Sequence, residues 1–146
     1  VETNFSPSSN LVIDAGVGFR LVAPHAEQMK LRDLVTQVRR ADVCLYAPTL
    51  WRYEVTTIFT KAVQFQQMTI EEARSGLQLA LELSIQLVQP DPALTLLAFD
   101  WTARLGRAAA YDSFYLALAE RLGCELWTVD RRLVNTVNLP WVRAVG

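Results

Sequence analysis

Four acidic residues stand where a chain could do chemistry with oxygen ligands. Asp14 follows the short β-branched run "LVI", and Asp130 follows the run "ELWTV". Asp112 lies near the head of the helix-like stretch "YDSFYLALAERL", and Glu54 lies in the first turns of another, "TLWRYEVTTIFTKAVQFQQ". Ligands of an open parallel α/β sheet bind outside the carboxyl ends of its strands. Asp14 and Asp130 are therefore expected at one edge, and Asp112 and Glu54 can face the same edge. Like charges brought together raise one another's pKa unless a cation offsets them. The only lysines, Lys30 and Lys61, are far from these strand ends in sequence, so a protein cation is a poor candidate. A divalent metal is the simpler offset, and an oxygen-only donor set suits Mg²⁺ or Mn²⁺ better than zinc. Such an ion activates water and polarises a phosphate oxygen, which serves phosphodiester hydrolysis without histidine or cysteine.

Each acid also has a plainer explanation. Asp112 can complement a helix dipole. Asp130 can cap a helix that starts at Arg131. Glu54 can be an ordinary surface acid. Asp14 is harder to dismiss, because aspartate is disfavoured in a strand. Four acids at converging ends make a shared site the better account.

The elements that must position them follow from periodicity. Short strands are expected at "NLVIDA" (Asn10 to Ala15), "VCLYAP" (Val43 to Pro48), "IQLVQP", "ELWTV" and "WVRAV". Between them lie helical patterns. One carries Met29, Leu31, Leu34, Val35 and Val38. Another opens with Thr69 and has Glu72 three residues on, a capping box. A third starts with Asp91 as N-cap and Pro92 at the first helical position. A short helix is expected over "RRLVNTV". Strands alternating with helices imply a mainly parallel sheet covered on both faces. The all-helical region from Thr49 to Leu83 is expected to form a two-helix arm standing off the sheet.

The 146 residues suit one domain, 1–146, led by a polar tail over 1–9. An apolar share of 51% and a charged share of 20% are ordinary for a globular protein, and no apolar run approaches a membrane span. The polar start does not read as a signal peptide. Cys44 and Cys124 lie beside apolar runs and read as buried, reduced thiols of a cytosolic protein. His25 is the only histidine, which removes Ser-His-Asp chemistry and paired-histidine zinc sites; it receives no role. The net charge of −1 gives no global field for nucleic acid. The arginine pairs, Arg39 with Arg40, Arg104 with Arg107 and Arg131 with Arg132, suit phosphate binding by type, but read as solvated faces.

The quoted stretches resemble the motifs of the PIN-domain family. "LVIDAGVGFRLV" is similar to its first motif, a strand ending in Asp followed by a short helix. "YAPTLWRYEVTTIF" is similar to the second, and "AYDSFYLALAERLGCELWTVDRRL" to the third and fourth, with the helix-start and strand-end aspartates at this spacing. The likeness runs from Leu11 to about Val145 and is strongest to VapC-type toxins of toxin–antitoxin pairs. It implies a three-layer α/β/α fold and a metal-dependent endoribonuclease that leaves a 5′-phosphate and a 3′-hydroxyl. Asp14, Asp112 and Asp130 would bind Mg²⁺ or Mn²⁺, with Glu54 completing the cluster and Thr128 supplying a hydroxyl nearby. It also implies RNA as substrate, a homodimer and a cognate antitoxin able to place a basic side chain at the acids. One departure is Gly16, where the family often has Ser, Thr or Asn; a lost hydrogen bond there could leave Asp14 less well oriented.

Other α/β readings fit less well. A receiver domain needs adjacent acids after the first strand and a late lysine, and no lysine follows Lys61. A haloacid-dehalogenase phosphatase needs Asp-x-Asp, which Gly16 breaks. "DAGVGF" lacks the third glycine of a dinucleotide turn. The alternative from a different class is a PIN-fold binding module of little activity, acting through dimer or antitoxin contacts. The four tryptophans are expected in cores or interfaces rather than against bases, with Trp51 and Tyr53 the more plausible interface pair.

Overall fold

Alternating residues of each central strand point to opposite faces, and this divides the core in two. Leu11, Ile13, Leu45 and Trp127 pack on one side with Val17, Leu21 and Leu34. Val12, Ala47 and Leu126 pack on the other, with Trp51, Val55, Leu94, Trp101 and Leu116. Helices therefore cover both faces of the sheet. The computed structural model describes residues 9–23, 29–40, 42–107 and 109–145, and side chains from residue 32 onward in the second of these runs. The polar tail (apart from Ser9) and His25 lie outside the described residues.

The elements are β1 (Ser9–Ile13), α1 (Ala15–Val22), α2 (Met29–Arg39), β2 (Val43–Pro48), α3 (Leu50–Gln64), α4 (Ile70–Leu81), β3 (Gln86–Val88), α5 (Pro92–Leu105), α6 (Tyr111–Leu122), β4 (Glu125–Thr128), α7 (Arg131–Val137) and β5 (Val142–Ala144). The five-stranded sheet has the order β3-β2-β1-β4-β5. Its four pairings are parallel, so the sheet is parallel throughout. The first strand ends at Ile13, short of the expected Ala15. Asp14 leaves the ladder and its side chain accepts a hydrogen bond from Val17 N–H at 2.8 Å, starting α1. That resolves the misfit of an aspartate in a strand.

Local start signals hold where their chemistry is complete. The Thr69 hydroxyl accepts from Glu72 N–H at 3.1 Å, and Thr69 N–H donates to Glu72 Oε1 at 3.0 Å. Asp91 Oδ1 accepts from Leu94 N–H at 2.7 Å, ahead of Pro92 at the head of α5. Gly123, at φ 63°, ends α6 in the left-handed region that costs glycine little, and the chain turns directly into β4. The arm does not stand clear of the molecule. Helices α3 and α4 pack on each other and on α1, with Phe19 and Phe59 in edge contact at 4.9 Å. Gly76 of α4 gives the Phe59 ring its place: a Cβ there would stand 2.6 Å from it.

Both cysteines are free and half-buried, less enclosed than expected. Burial pushes the Cys124 thiol up to about 11, so it stays protonated at neutral pH. Trp101 and Trp127 are core residues, and Trp141 packs edge-on against Trp101 at 5.9 Å. No helix among the described residues is long and apolar enough to cross a membrane.

Candidate active site

The order of the sheet sets β1 beside β4, so the residues after both strands come out side by side. Just past the last paired residue, Asp14 N–H donates to the Trp127 carbonyl at 3.1 Å. The Asp14 carboxylate is then held from several directions. Oδ1 accepts from Val17 N–H, and Oδ2 accepts from the Thr128 hydroxyl at 2.5 Å and from Val129 N–H at 3.1 Å. Thr128 Oγ1 in turn accepts from Asp130 N–H at 3.0 Å, tying the two strand ends together.

Asp14, Glu54 and Asp112 line one pocket of about 350 Å³, with Gly16, Tyr53, Thr57, Lys61 and Tyr115 among the other walls. Asp130 does not line it. Its carboxylate turns back to cap α7, accepting from Leu133 N–H at 3.1 Å, while its charge still acts on Asp112. The sequence positions thus divide: three acids share the pocket and the fourth stands beside it.

The electrostatics are those of crowded acids. Burial pushes the Asp14 carboxyl above the ordinary range, against the pull of its three hydrogen bonds; the charge of Asp112 pushes it further. Burial raises Glu54 too; the Tyr115 hydrogen bond opposes this, and Asp112 and Asp14 add to it. Burial also raises Asp112; Arg107 opposes the shift, and Asp130 adds to it. Two protein cations do reach this cluster, contrary to expectation. Arg107 Nη1 pairs with Asp112 Oδ2 at 2.9 Å across the α5–α6 turn. Lys61 lines the pocket because it lies seven residues after Glu54, two turns along the same helix.

Two positioning groups carried no signal in the sequence. The Tyr115 hydroxyl donates to Glu54 Oε1 at 2.5 Å. Burial drives this phenol far above its usual range, so it remains a neutral donor. Its helical position, three residues after Asp112, puts both on one face of α6. The second is Trp51. It is only 2% exposed, and its indole N–H donates to the Asp14 carbonyl at 3.2 Å. Trp51 is therefore core, and the expected interface pair with Tyr53 is split: helix residues two apart do not share a face.

Gly16 has a steric cause here. A Cβ at that position would overlap the Val129 side chain. The close approach of α1 to the β4–α7 turn is what lets Val129 N–H reach Asp14. Gly16→Ser is expected to cost about 1–3 kcal/mol through overpacking, read by chemical denaturation; an unchanged midpoint would show that the turn has room.

The donor chemistry fits a hard divalent cation. All donors are carboxylate oxygens, and Glu54 Oε2 and Asp112 Oδ1 are not among the atoms engaged in the bonds above. Among the described residues no three acid, histidine or cysteine side chains are already arranged as a chelate. Arg107 engages only Oδ2 of Asp112 and Tyr115 only Oε1 of Glu54, which leaves one oxygen of each carboxylate to meet an ion.

The pocket's chain segments match known proteins. A family model for the PIN domain matches residues 11–139. Ribonuclease VapC9 of Mycobacterium tuberculosis and VapC ribonuclease Mb0985 of Mycobacterium bovis are each 32% identical over 92 residues, which is 63% of this chain and 69% of theirs. The crystal structure of PAE2754 from Pyrobaculum aerophilum superposes with a TM-score of 0.65 at 19% identity, over 91% of this chain and 83% of that one. That of Mycobacterium tuberculosis VapC20, a toxin described as cleaving the sarcin-ricin loop, superposes at 0.59 and 11% identity, over 93% and 99%. At these identities the structural likeness is one of fold.

Proposed function

This chain belongs to the PIN-domain family, and from that membership we propose that it is a divalent-metal-dependent endoribonuclease, the toxin of a toxin–antitoxin pair. The observation that carries the reading is the convergence of Asp14, Glu54 and Asp112 on one pocket, with Asp130 at its edge. The names of the curated relatives support RNA as the substrate class. Asp14, Glu54, Asp112 and Asp130 are the residues that would hold Mg²⁺ or Mn²⁺. When bound, the ion supplies a Lewis acid for a phosphate oxygen and lowers the pKa of water.

The chain's own residues do the rest. Thr128 and the Val129 N–H fix the rotamer of Asp14 and favour its ionised form against the burial that raises its pKa. Tyr115 holds Glu54 toward the pocket by donating its one hydroxyl hydrogen, so its oxygen can only accept from a water there. Tyr115→Phe is expected to slow RNA cleavage by about 10- to 100-fold, the usual cost of losing an outer-shell partner, with the fold retained. Equal rates for the two proteins would remove Tyr115 from the site.

The pH dependence has a definite sign. An acid whose folded pKa lies above its unfolded value costs stability as pH rises between the two, and the full cost stands above the folded pKa. Asp14, Glu54 and Asp112 are all of this kind. Mg²⁺ or Mn²⁺, which binds the ionised carboxylates, is therefore expected to raise Tm at neutral pH. The gain should shrink as pH falls through the raised folded values toward the ordinary carboxylate range, because protons compete for the same oxygens. Thermal scans with and without Mn²⁺ across that window test it; a gain that does not change with pH would place the ion elsewhere.

The partners follow from the same reading: a cognate antitoxin and a second copy of this chain. Large apolar side chains are exposed on α5, at Leu96 and Phe99, and on the α3–α4 pair, at Phe65, Ile70, Leu79 and Leu81. Such surfaces suit protein contacts. A cytoplasmic location fits an RNA substrate. The deciding experiment is cleavage of a mixed RNA pool with Mg²⁺ or Mn²⁺ and with EDTA. Metal-dependent cleavage supports the enzyme. No cleavage together with no Mn²⁺ uptake in calorimetry would leave the binding module.

A further inference from the structure

Helix α3 buries Trp51, Val55, Phe59 and Ala62 and turns another stripe outward. Tyr53, Thr57 and Lys61 follow one another at intervals of four, so they form one row beside Glu54. All three line the acidic pocket. Tyr53 is a large aromatic left 77% exposed at its rim. The Thr57 hydroxyl is committed to the Tyr53 carbonyl at 3.0 Å, which leaves the recognition chemistry to the residues at the two ends of the row. No described acid forms an ion pair with Lys61.

A pocket walled by three carboxylates repels a phosphate backbone. A strand that crosses it needs a cation within the same pocket, and Lys61 supplies one. An exposed aromatic face beside it offers what every nucleobase can stack on. Tyr53 and Lys61 are about 12 Å apart along α3 at 1.5 Å per residue, the length of a short run of nucleotides. A protein partner suits this surface less well, since the cores of protein interfaces are depleted in Lys, Asp and Glu.

We propose that Tyr53 and Lys61 are the strand-binding residues of this site: single-stranded RNA lies along α3 with a base stacked on the Tyr53 ring and a flanking phosphate on the Lys61 ammonium. This rests on the ribonuclease reading above. Both side chains are exposed, so their truncation leaves the core untouched.

The test uses the whole chain and a short fluorescent single-stranded RNA of mixed sequence. Binding is titrated in EDTA over a range of salt, and cleavage is followed separately with Mn²⁺. Tyr53→Ala is expected to weaken binding by about 5- to 100-fold, and Tyr53→Phe to restore it. Lys61→Ala is expected to lower the slope of log affinity against log salt by about 0.7, one phosphate contact, and Lys61→Arg to keep it. In cleavage the two alanine variants should raise KM and leave kcat nearly unchanged. If the wild type cleaves RNA but both alanine variants bind it as tightly and with the same salt slope, the strand path is elsewhere and the ribonuclease reading stands. If the wild type neither binds nor cleaves RNA, that reading falls and this assignment with it. If Tyr53→Ala loses self-association in sedimentation while RNA affinity is unchanged, Tyr53 is a protein contact and the assignment is overturned.

Discussion

Asp112→Asn will lower metal-dependent RNA cleavage by about a hundredfold or more and leave the protein folded. The size follows from removing one charged ligand from a site whose ion contributes several kcal/mol of transition-state stabilisation. Asp112 suits this test better than Asp14. Asp14 also starts α1 and accepts from Thr128 and Val129, so its replacement disturbs the fold and the site together. Asp112 has one side-chain partner, Arg107, and the pair is partly open to solvent. An exposed pair of that kind contributes about 0–1 kcal/mol, and a first-turn acid adds about 0.3–1 kcal/mol through the helix dipole. Thermal denaturation should therefore register only a small loss. Initial rates on one RNA with Mn²⁺, for wild type and variant, provide the measurement. Equal rates would mean that Asp112 serves only its helix and its arginine.

Trp51→Ala will produce the largest loss of stability, about 3–5 kcal/mol, the range for truncating a buried large aromatic. For a chain of this size that corresponds to a fall in Tm of roughly 6–20 °C. The indole lies against Gly18, where a Cβ would stand 2.5 Å from the ring. Glycine and tryptophan are thus a matched pair. Trp51→Phe separates packing from hydrogen bonding. The Asp14 carbonyl would keep its bond from Gly18 N–H at 3.1 Å, so this variant should lose only about 0.5–1.5 kcal/mol. A Trp51→Ala melt indistinguishable from wild type would show that the ring is not part of the core.

The two predictions address different scales of one arrangement. Trp51 joins α3 to the end of β1, so the helix that carries Glu54 is registered against the residue that carries Asp14. Thr128 and Val129 register β4 against the same carboxylate. The pocket is therefore set by contacts on the backbone and carboxylate of Asp14, and stability and activity meet at that residue.

Much of the fold was legible in the sequence because its signals are short-range. Apolar periods separated strands from helices. Thr69 with Glu72, and Asp91 with Pro92, marked helix starts through side chains that bond to amides three residues away. An aspartate straight after "LVI" marked a strand end. Three of the candidate acids were legible for the same reason: Asp14, Asp112 and Asp130 sit at element boundaries, with Glu54 one turn into α3. What only the tertiary structure decided involves residues far apart in the chain. Tyr115 meets Glu54 across 61 residues, and Thr128 meets Asp14 across 114. Both contacts exist because the sheet places β1 between β2 and β4. The same order brought Asp14 to the pocket that Glu54 and Lys61 share on α3, left Asp130 at its margin, and turned Trp51 inward while Tyr53 stayed in solvent. Periodicity states which residues share a face of one element. It does not state which faces of different elements meet, because that depends on long-range packing.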